Sequence, residues 1–400
     1  MAGMQTMDSA LRHITDHIRA ASSNGTALRI CGGGSKDFYG NHLEGELLDT
    51  RGLSGILSYE PTELVVTVGA GTPLAELEAL LAEHGQCLAF EPPHFAWSSS
   101  ATATHAEPLG ERAPSCGTAD GSKATIGGMV AAGLSGPARA SAGAVREYVL
   151  GLHLVNGLGE ELVFGGQVMK NVAGYDVSRM MVGSMGTLGL ITEVSLKVLP
   201  VAPAEATLVF AMDQASALEC LHRWGGQPLP LNASCWVEDA GIGTLYLRLR
   251  GAVAAVEAAC RTLGGERQDN ARVAADWDAC RDQRLPWFAD RQASECLWRL
   301  SVPQTAPVLP LPSGVGAPLV EWHGGQRWVQ AGPEHAGALR EAASRAGGHA
   351  TLFIAGDDPS ALGIDRFEPL KAPLDRIHRR LKAEFDPSGL FNRGRLYAEL

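Results

Sequence analysis

The sequence predicts an α+β fold in two unequal parts, on three observations. Between Leu28 and Thr192, short apolar runs are punctuated by clusters of glycine and serine, the pattern of strands that turn tightly. From Ala204 the wording changes, and apolar runs at strand spacing alternate with runs at helix spacing. The chain has 400 residues, more than one hydrophobic core ordinarily organises. The division expected is 1–203, a reduced α+β cap over 204–370, and a closing segment over 371–400.

Taken in order, Leu11, Ile14 and Ile18 have helical spacing, with Asp8 or Ser9 as cap. A strand over Ala27–Cys31 then enters Gly32-Gly33-Gly34-Ser35-Lys36. Successive free N–H groups there fit either a flexible turn or a nest for an anion such as pyrophosphate. Ile56–Tyr59 and Leu64–Val68 read as two strands. Gly69-Ala70-Gly71-Thr72-Pro73 opens a helix to about His84, with Thr72 as its cap and Pro73 in its first turn. Strand, G-x-G, helix is also how a dinucleotide-binding unit begins, but Leu74 holds the place of the third glycine. Glu91, roughly where a ribose-binding acid would stand at an offset of ~20 residues, is followed by Pro92 and Pro93.

Residues 98–123 change character and read as an exposed insertion. Thr125 next caps a helix whose face is nearly all small, through Gly127, Gly128, Ala131 and Gly133 to Leu134. Such a face admits close backbone approach, by a packed sheet or by a flat ring system. Val149–Asn156 and Glu161–Phe164 form a hairpin. The stretch from Lys170 to Thr192 carries Gly174, Tyr175, Gly183, Gly186 and Gly189, and runs through Ile191 into a strand ending near Val198. On spacing alone it is either a tight packing turn or a close approach to a ligand. In the cap, strands are expected at 208–212, 234–237, 244–249, 297–302, 319–323 and 351–355, and helices at 215–224 and 252–262. Pro303–Pro318 reads as a loop. Trp277, Trp287, Trp298, Trp322 and Trp328 fit core or interface anchors. A helix from Leu374 and a closing loop through Asn392 end the chain.

Composition excludes several functions. A formal charge of −11 with no basic stripe argues against nucleic acid. There is no apolar run of about eighteen residues, so no transmembrane helix is expected. The N-terminus has no secretory apolar core. The 8 cysteines lack C-x-x-C spacing, which argues against a ferredoxin-type cluster or zinc finger and for free thiols in a reducing cytosol. No G-x-S-x-G, H-E-x-x-H or Walker loop occurs, and no metal site is expected. No catalytic base is identifiable; Arg139 and Arg395 are candidates to hold a carboxylate.

The motifs together resemble the vanillyl-alcohol-oxidase family, with its PCMH-type FAD-binding domain. The matching stretches are Cys31-Gly-Gly-Gly-Ser-Lys36, Thr125-x-Gly-Gly-x-x-Ala-x-x-Gly-Leu134, Lys170-Asn-x-x-Gly-Tyr-Asp176 with Gly183-Ser-x-Gly-Thr-Leu-Gly-x-Ile-Thr192, and a tail of the form F-D-P-x-x-x-F-N-x-G-R. The tail has Arg393 where the family has proline. The branch that this wording resembles contains glycolate oxidase and D-lactate dehydrogenases. The resemblance implies noncovalent FAD, since Ser35 and Lys36 stand where some relatives carry an attaching histidine. It implies FAD contacts at Gly32, Gly33, Gly34, Ser35, Lys36, Gly69, Ala70, Gly71, Thr72, Pro93, Thr125, Gly127, Gly128, Ala131, Gly133, Leu134, Gly174, Tyr175, Gly189, Ile191 and Asn392. It also implies a C-terminal segment that returns to the FAD domain.

The cap lacks the family's metal-binding H-x-G-D-G-N-x-H string. The expectation is therefore an FAD-binding subunit of a multi-subunit glycolate oxidase, oxidising glycolate and other 2-hydroxy acids. Its partners would be a catalytic flavoprotein subunit and an iron–sulfur subunit, in the cytoplasm or held peripherally on the inner membrane through them. Two rivals are a self-sufficient FAD-dependent oxidase or dehydrogenase, and a structural subunit whose flavin is not reduced in turnover.

Overall fold

The computed structural model describes residues 2–95, 124–166, 176–239, 241–357 and 363–400. The first part begins with α1 (Ala2–Asn24), whose Ile14, Ile18 and Ala21 are buried at helical spacing. Parallel strands β1 (Leu28–Cys31) and β2 (Glu46–Asp49) follow. Then come β3 (Ile56–Glu60), β4 (Val65–Gly69), α2 (Leu74–Glu83), β5 (Gln86–Cys87), α3 (Ile126–Ala132), α4 (Arg139–Ala142), β6 (Val149–Val155), β7 (Glu161–Gly165), α5 (Val177–Met181), β8 (Leu190–Lys197) and β9 (Leu199–Pro200). Five of these strands form an antiparallel sheet in the order β3-β4-β8-β6-β7. Its core joins Val66, Val68, Leu152, Val194 and Leu196 to Leu74 and Leu77 of α2 and Met129 and Val130 of α3.

The second part holds β10 (Ala204–Ala211), α6 (Gln214–Gly225), β11 (Leu231–Asp239), β12 (Ile242–Gly251), α7 (Val253–Leu263), β13 (Glu266–Arg267), α8 (Asn270–Arg281), α9 (Pro286–Ala289), β14 (Cys296–Ser301), β15 (Leu319–Glu321), β16 (Gln326–Ala331), α10 (Ala336–Arg345) and β17 (His349–Ile354). An 8-stranded antiparallel sheet runs β13-β10-β12-β11-β15-β16-β14-β17. Both of its faces are covered. Trp298, Val329 and Leu352 pack with Leu339 and Ala343 of α10. Their neighbours Leu297, Trp328 and Phe353 point the other way, onto Tyr39, Phe95, Leu134 and Met185 of the first part. Alternation with period two thus seats the cap on the first part.

Polar groups fix the seating. Glu91 is bridged by Arg248 at 2.7 Å and Arg250 at 3.0 Å, across from the cap sheet. Burial works against its ionisation, but the two guanidiniums overcome this and hold the carboxyl below its ordinary pKa. Trp322 Nε1 donates to the Gly136 carbonyl at 3.0 Å. The chain then returns through α11 (Leu374–Phe385) to the first part. Buried Lys382 donates to the carbonyls of Thr187 and Phe391 and to Asp386 at 2.8 Å, and Leu28 bridges to Phe391.

Several expectations need correction. Thr72 does not cap α2: its hydroxyl accepts from Gly55 N at 2.9 Å, and Pro73 holds the cap position. Cys31 is disulfide-bonded, while Cys87, Cys220, Cys235, Cys260, Cys280 and Cys296 are free as expected. Strand β16 was not legible because it buries two polar side chains: Gln326 Nε2 donates to Glu321, and Arg327 donates to the carbonyls of Gly324 and Ala306. Of the cap tryptophans, Trp277, Trp298, Trp322 and Trp328 are buried in the core and Trp287 is half-buried against it, which fits core anchors.

Candidate functional site

A cavity of about 790 Å³ lies in the first part, closed at one side by the returning tail. Its size falls within the range for small-molecule and cofactor sites, roughly 300–1,000 Å³. Strand β1 delivers the loop Gly32–Lys36 to its wall. The left-handed conformation that requires glycine falls at Gly34 (φ 72°). Helix α3 forms an adjoining part of the wall, and Gly127, Gly128 and Ala131 line the cavity with nothing longer than a methyl group. The α3 helix is capped as the sequence predicts, with Thr125 Oγ1 accepting from Gly128 N at 3.3 Å. Ala70, Gly189 and Ile191 complete that wall.

The loop over 183–189 is set by the end of α3: Gly183 N donates to Val130 O at 3.0 Å and Met185 N to Ala131 O at 2.8 Å. Asn392, from the tail, pins three segments together. Its Oδ1 accepts from Ile30 N at 2.8 Å, its Nδ2 donates to Met185 O at 2.6 Å, and its own N–H donates to Leu28 O at 3.0 Å.

The wall is also positively charged. Lys36 is half-buried, donates to Ser35 Oγ at 3.1 Å, and is pulled down to a pKa of about 8 by burial, with Asp282 opposing. Arg29, Arg366 and Arg395 line the cavity too. Arg395 does not hold a carboxylate as the sequence suggested; it donates to the carbonyls of Lys36, Asp37 and Asn41. Arg139 instead stacks 4.4 Å from the Trp322 ring centroid.

Of the residues expected at the cofactor, Gly32, Gly33, Gly34, Ser35, Lys36, Ala70, Thr125, Gly127, Gly128, Ala131, Gly189, Ile191 and Asn392 are brought together on this cavity. Gly69, Gly71, Thr72, Pro93, Gly133 and Leu134 lie off it. The missing side chains of Gly69 and Gly71 make room for backbone: a Cβ would stand 2.4 Å from Leu53 O and 2.3 Å from Thr50 O. Gly133 ends α3 with φ 64° and packs on Gly183. Pro93 and Leu134 border a small crevice under the cap with Arg299, Glu321 and Trp328. Gly174 and Tyr175 lie outside the described residues. Sequence reasoning missed Arg29 and Arg366, since a lone arginine carries no local pattern.

A group that suits this cavity is long, carries an anionic centre for the glycine loop and arginines, and has a flat part for the small-residue wall. Comparison with known proteins names it. The FAD binding domain family matches residues 11–106. Alkyldihydroxyacetonephosphate synthase shares the fold, with TM-score 0.58 at 13% identity, covering 95% of this chain and 74% of that one. The chain is thus an FAD-dependent oxidoreductase with a PCMH-type FAD-binding domain. Glycolate oxidase subunit GlcE of Escherichia coli (strain K12) is 42% identical over 97% of both chains. D-2-hydroxyglutarate dehydrogenase of Xanthomonas citri pv. viticola is 27% identical over 71% of this chain and 57% of its own. The chain belongs to the glycolate oxidase subunit GlcE family. Among the described residues, no helix is long and apolar enough to cross a membrane.

Proposed function

We propose that this chain is the FAD-binding subunit of a multi-subunit glycolate oxidase. The complex would oxidise glycolate and related 2-hydroxy acids to 2-oxo acids, passing electrons to an iron–sulfur partner. The observation that carries this reading is the 42% identity that runs through both the FAD-binding part and the cap of a glycolate oxidase subunit, over 97% of each chain. The lack of the family's His-rich metal string in the cap supports a division of labour with a second flavoprotein subunit.

The cavity residues would hold FAD noncovalently. When bound, FAD supplies a two-electron acceptor and a route for onward electron transfer. The Gly32–Gly34 loop offers N–H groups to its diphosphate, and Gly127, Gly128 and Ala131 leave room for close approach to a flat ring. Asn392 keeps the two loops that flank the cavity in register. Lys36, with a pKa of about 8, holds its proton at neutral pH and adds positive charge to the wall.

The test is an anaerobic dye-linked assay of the purified chain with glycolate and D-lactate, alone and with its partner subunits. Heat-denatured protein is checked for flavin in the supernatant. The expected result is released FAD, negligible turnover alone, and turnover in the complex. Rapid bleaching of the flavin by either acid without partners would instead establish a self-sufficient dehydrogenase. A flavin that stays oxidised while the complex turns over would establish a structural subunit.

A further inference from the structure

Among the described residues, Arg366 is a cavity-lining cation whose guanidinium the fold does not account for. It follows β17 in a segment that runs back along the first part, and it is among the residues that line the cavity. Its main chain does the anchoring: Arg366 N donates to Asn41 Oδ1 at 3.2 Å, and its carbonyl accepts from Leu352 N at 2.9 Å. The guanidinium is therefore not needed to hold the segment in place. Its Nη1 is buried and has no hydrogen-bond partner among the described residues, and the side chain makes no ion pair there. A buried guanidinium nitrogen left unpaired is costly, more so than a neutral donor.

The surroundings raise that cost. Arg395, which is 7% exposed, is pushed down to a pKa of about 10 by burial, and then by the charges of Arg366 and Arg29, with Asp37 opposing. Asp37, the carboxyl that would neutralise the group, is itself pushed up by burial, with Arg395 and Arg29 opposing that shift. Three arginines and one acid thus line the cavity together, an excess of positive charge that suits an arriving anion.

We propose that Arg366 is a cofactor-binding residue whose guanidinium grips the diphosphate of FAD together with the Gly32–Lys36 loop. This rests on the reading that FAD occupies the cavity. At neutral pH the diphosphate is the part of FAD that carries fixed negative charge. A guanidinium fork matches phosphate oxygens bidentately and is more weakly hydrated than an ammonium. Arg366 is separated from the loop by more than three hundred residues of chain, so bound cofactor ties the segment after the cap strands to the first part.

The experiment titrates the flavin-free full-length chain with FAD, ADP and riboflavin, following heat of binding and flavin fluorescence. It compares wild type with Arg366→Gln and Arg366→Lys. ADP carries the diphosphate without the isoalloxazine; riboflavin carries the ring without phosphate. In Arg366→Gln, the dissociation constants for FAD and ADP should rise by roughly 10- to 100-fold, as for loss of a charge-assisted pair. Riboflavin binding should be unchanged, and the flavin-free chain should melt no lower than wild type. Arg366→Lys should recover part of the loss and leave affinity more salt-dependent. Unchanged FAD and ADP affinity in Arg366→Gln would overturn the proposal while leaving FAD binding intact. If Arg366→Gln does not fold, Arg366→Lys decides: weaker ADP binding supports the assignment, and wild-type affinity overturns it. A wild-type chain that binds no FAD would remove both this inference and the function it rests on.

Discussion

Gly32 offers the sharpest test of how the cavity wall is assembled. A Cβ added there would lie 2.3 Å from Thr125 Oγ1 and 3.3 Å from Thr125 Cβ and Cγ2. Thr125 caps α3 through that same oxygen, so Gly32→Ala must displace the hydroxyl and break the cap. Losing a threonine cap costs about 1 kcal/mol, and forcing a methyl group into a filled space about 1–3 kcal/mol. Gly32→Ala should therefore destabilise the flavin-free chain by about 2–4 kcal/mol, and Thr125→Ala by about 1 kcal/mol. The two are not independent. With the Thr125 hydroxyl gone, the alanine at 32 meets little, so the double variant should cost only about 1–2 kcal/mol rather than the sum. The assay is urea unfolding of the wild type, both single variants and the double variant, with FAD occupancy after reconstitution as a second readout. Occupancy should fall in Gly32→Ala and recover partly in the double variant, since both residues line the cavity. Strict additivity of the two substitutions would refute the reasoning, because it would mean that the Gly32 backbone does not depend on Thr125.

Two further predictions follow from buried charge. His323 sits between Ser141 and Ser234, each 3.0 Å from a ring nitrogen, and burial lowers its pKa from 6.5 to about 4. The unfolded chain binds the proton more readily, so this histidine's contribution is complete above pH 6.5 and lost as pH falls towards 4, about 3 kcal/mol in all. His323→Asn tolerates the left-handed backbone at φ 54° and should lose about 2–3 kcal/mol less than wild type between pH 7 and 4.5 in urea unfolding. Equal losses would assign the acid sensitivity elsewhere, for instance to Glu91, whose carboxyl, against the effect of its burial, Arg248 and Arg250 hold below its ordinary pKa. Lys382→Met removes the ammonium from a carboxylate with 0% side-chain exposure, Asp386. It should cost about 3–5 kcal/mol, with partial recovery in Lys382→Met/Asp386→Asn; a loss below about 1 kcal/mol would show that the tail is held by other contacts.

The elements that sequence made legible are those whose cause is local. The glycines of 32–34 and the Thr125 cap each act within a few residues, and the apolar spacing of α1, α2 and β6 reports directly on burial. The five-stranded sheet and most cap strands could be placed for that reason, and the string of motifs carried the FAD-binding assignment. Where the local cause was ambiguous, the reading overreached. Gly69 and Gly71 look like cofactor glycines, yet their space is taken by the backbone of Thr50 and Leu53, which no spacing rule reveals. Strand β16 escaped notice because its buried Gln326 and Arg327 find partners supplied by other segments.

By itself, then, the sequence determined the fold class and the glycine-rich lining. Tertiary structure alone decided which glycines face the cavity, and it brought Arg29, Arg366 and Arg395 to one wall from three distant stretches of chain. The physical reason is the range of the forces involved. Backbone freedom and hydrophobic periodicity are written into neighbouring residues. The electrostatics of a cavity are a sum over charges that only folding brings together, in a place where water no longer screens them.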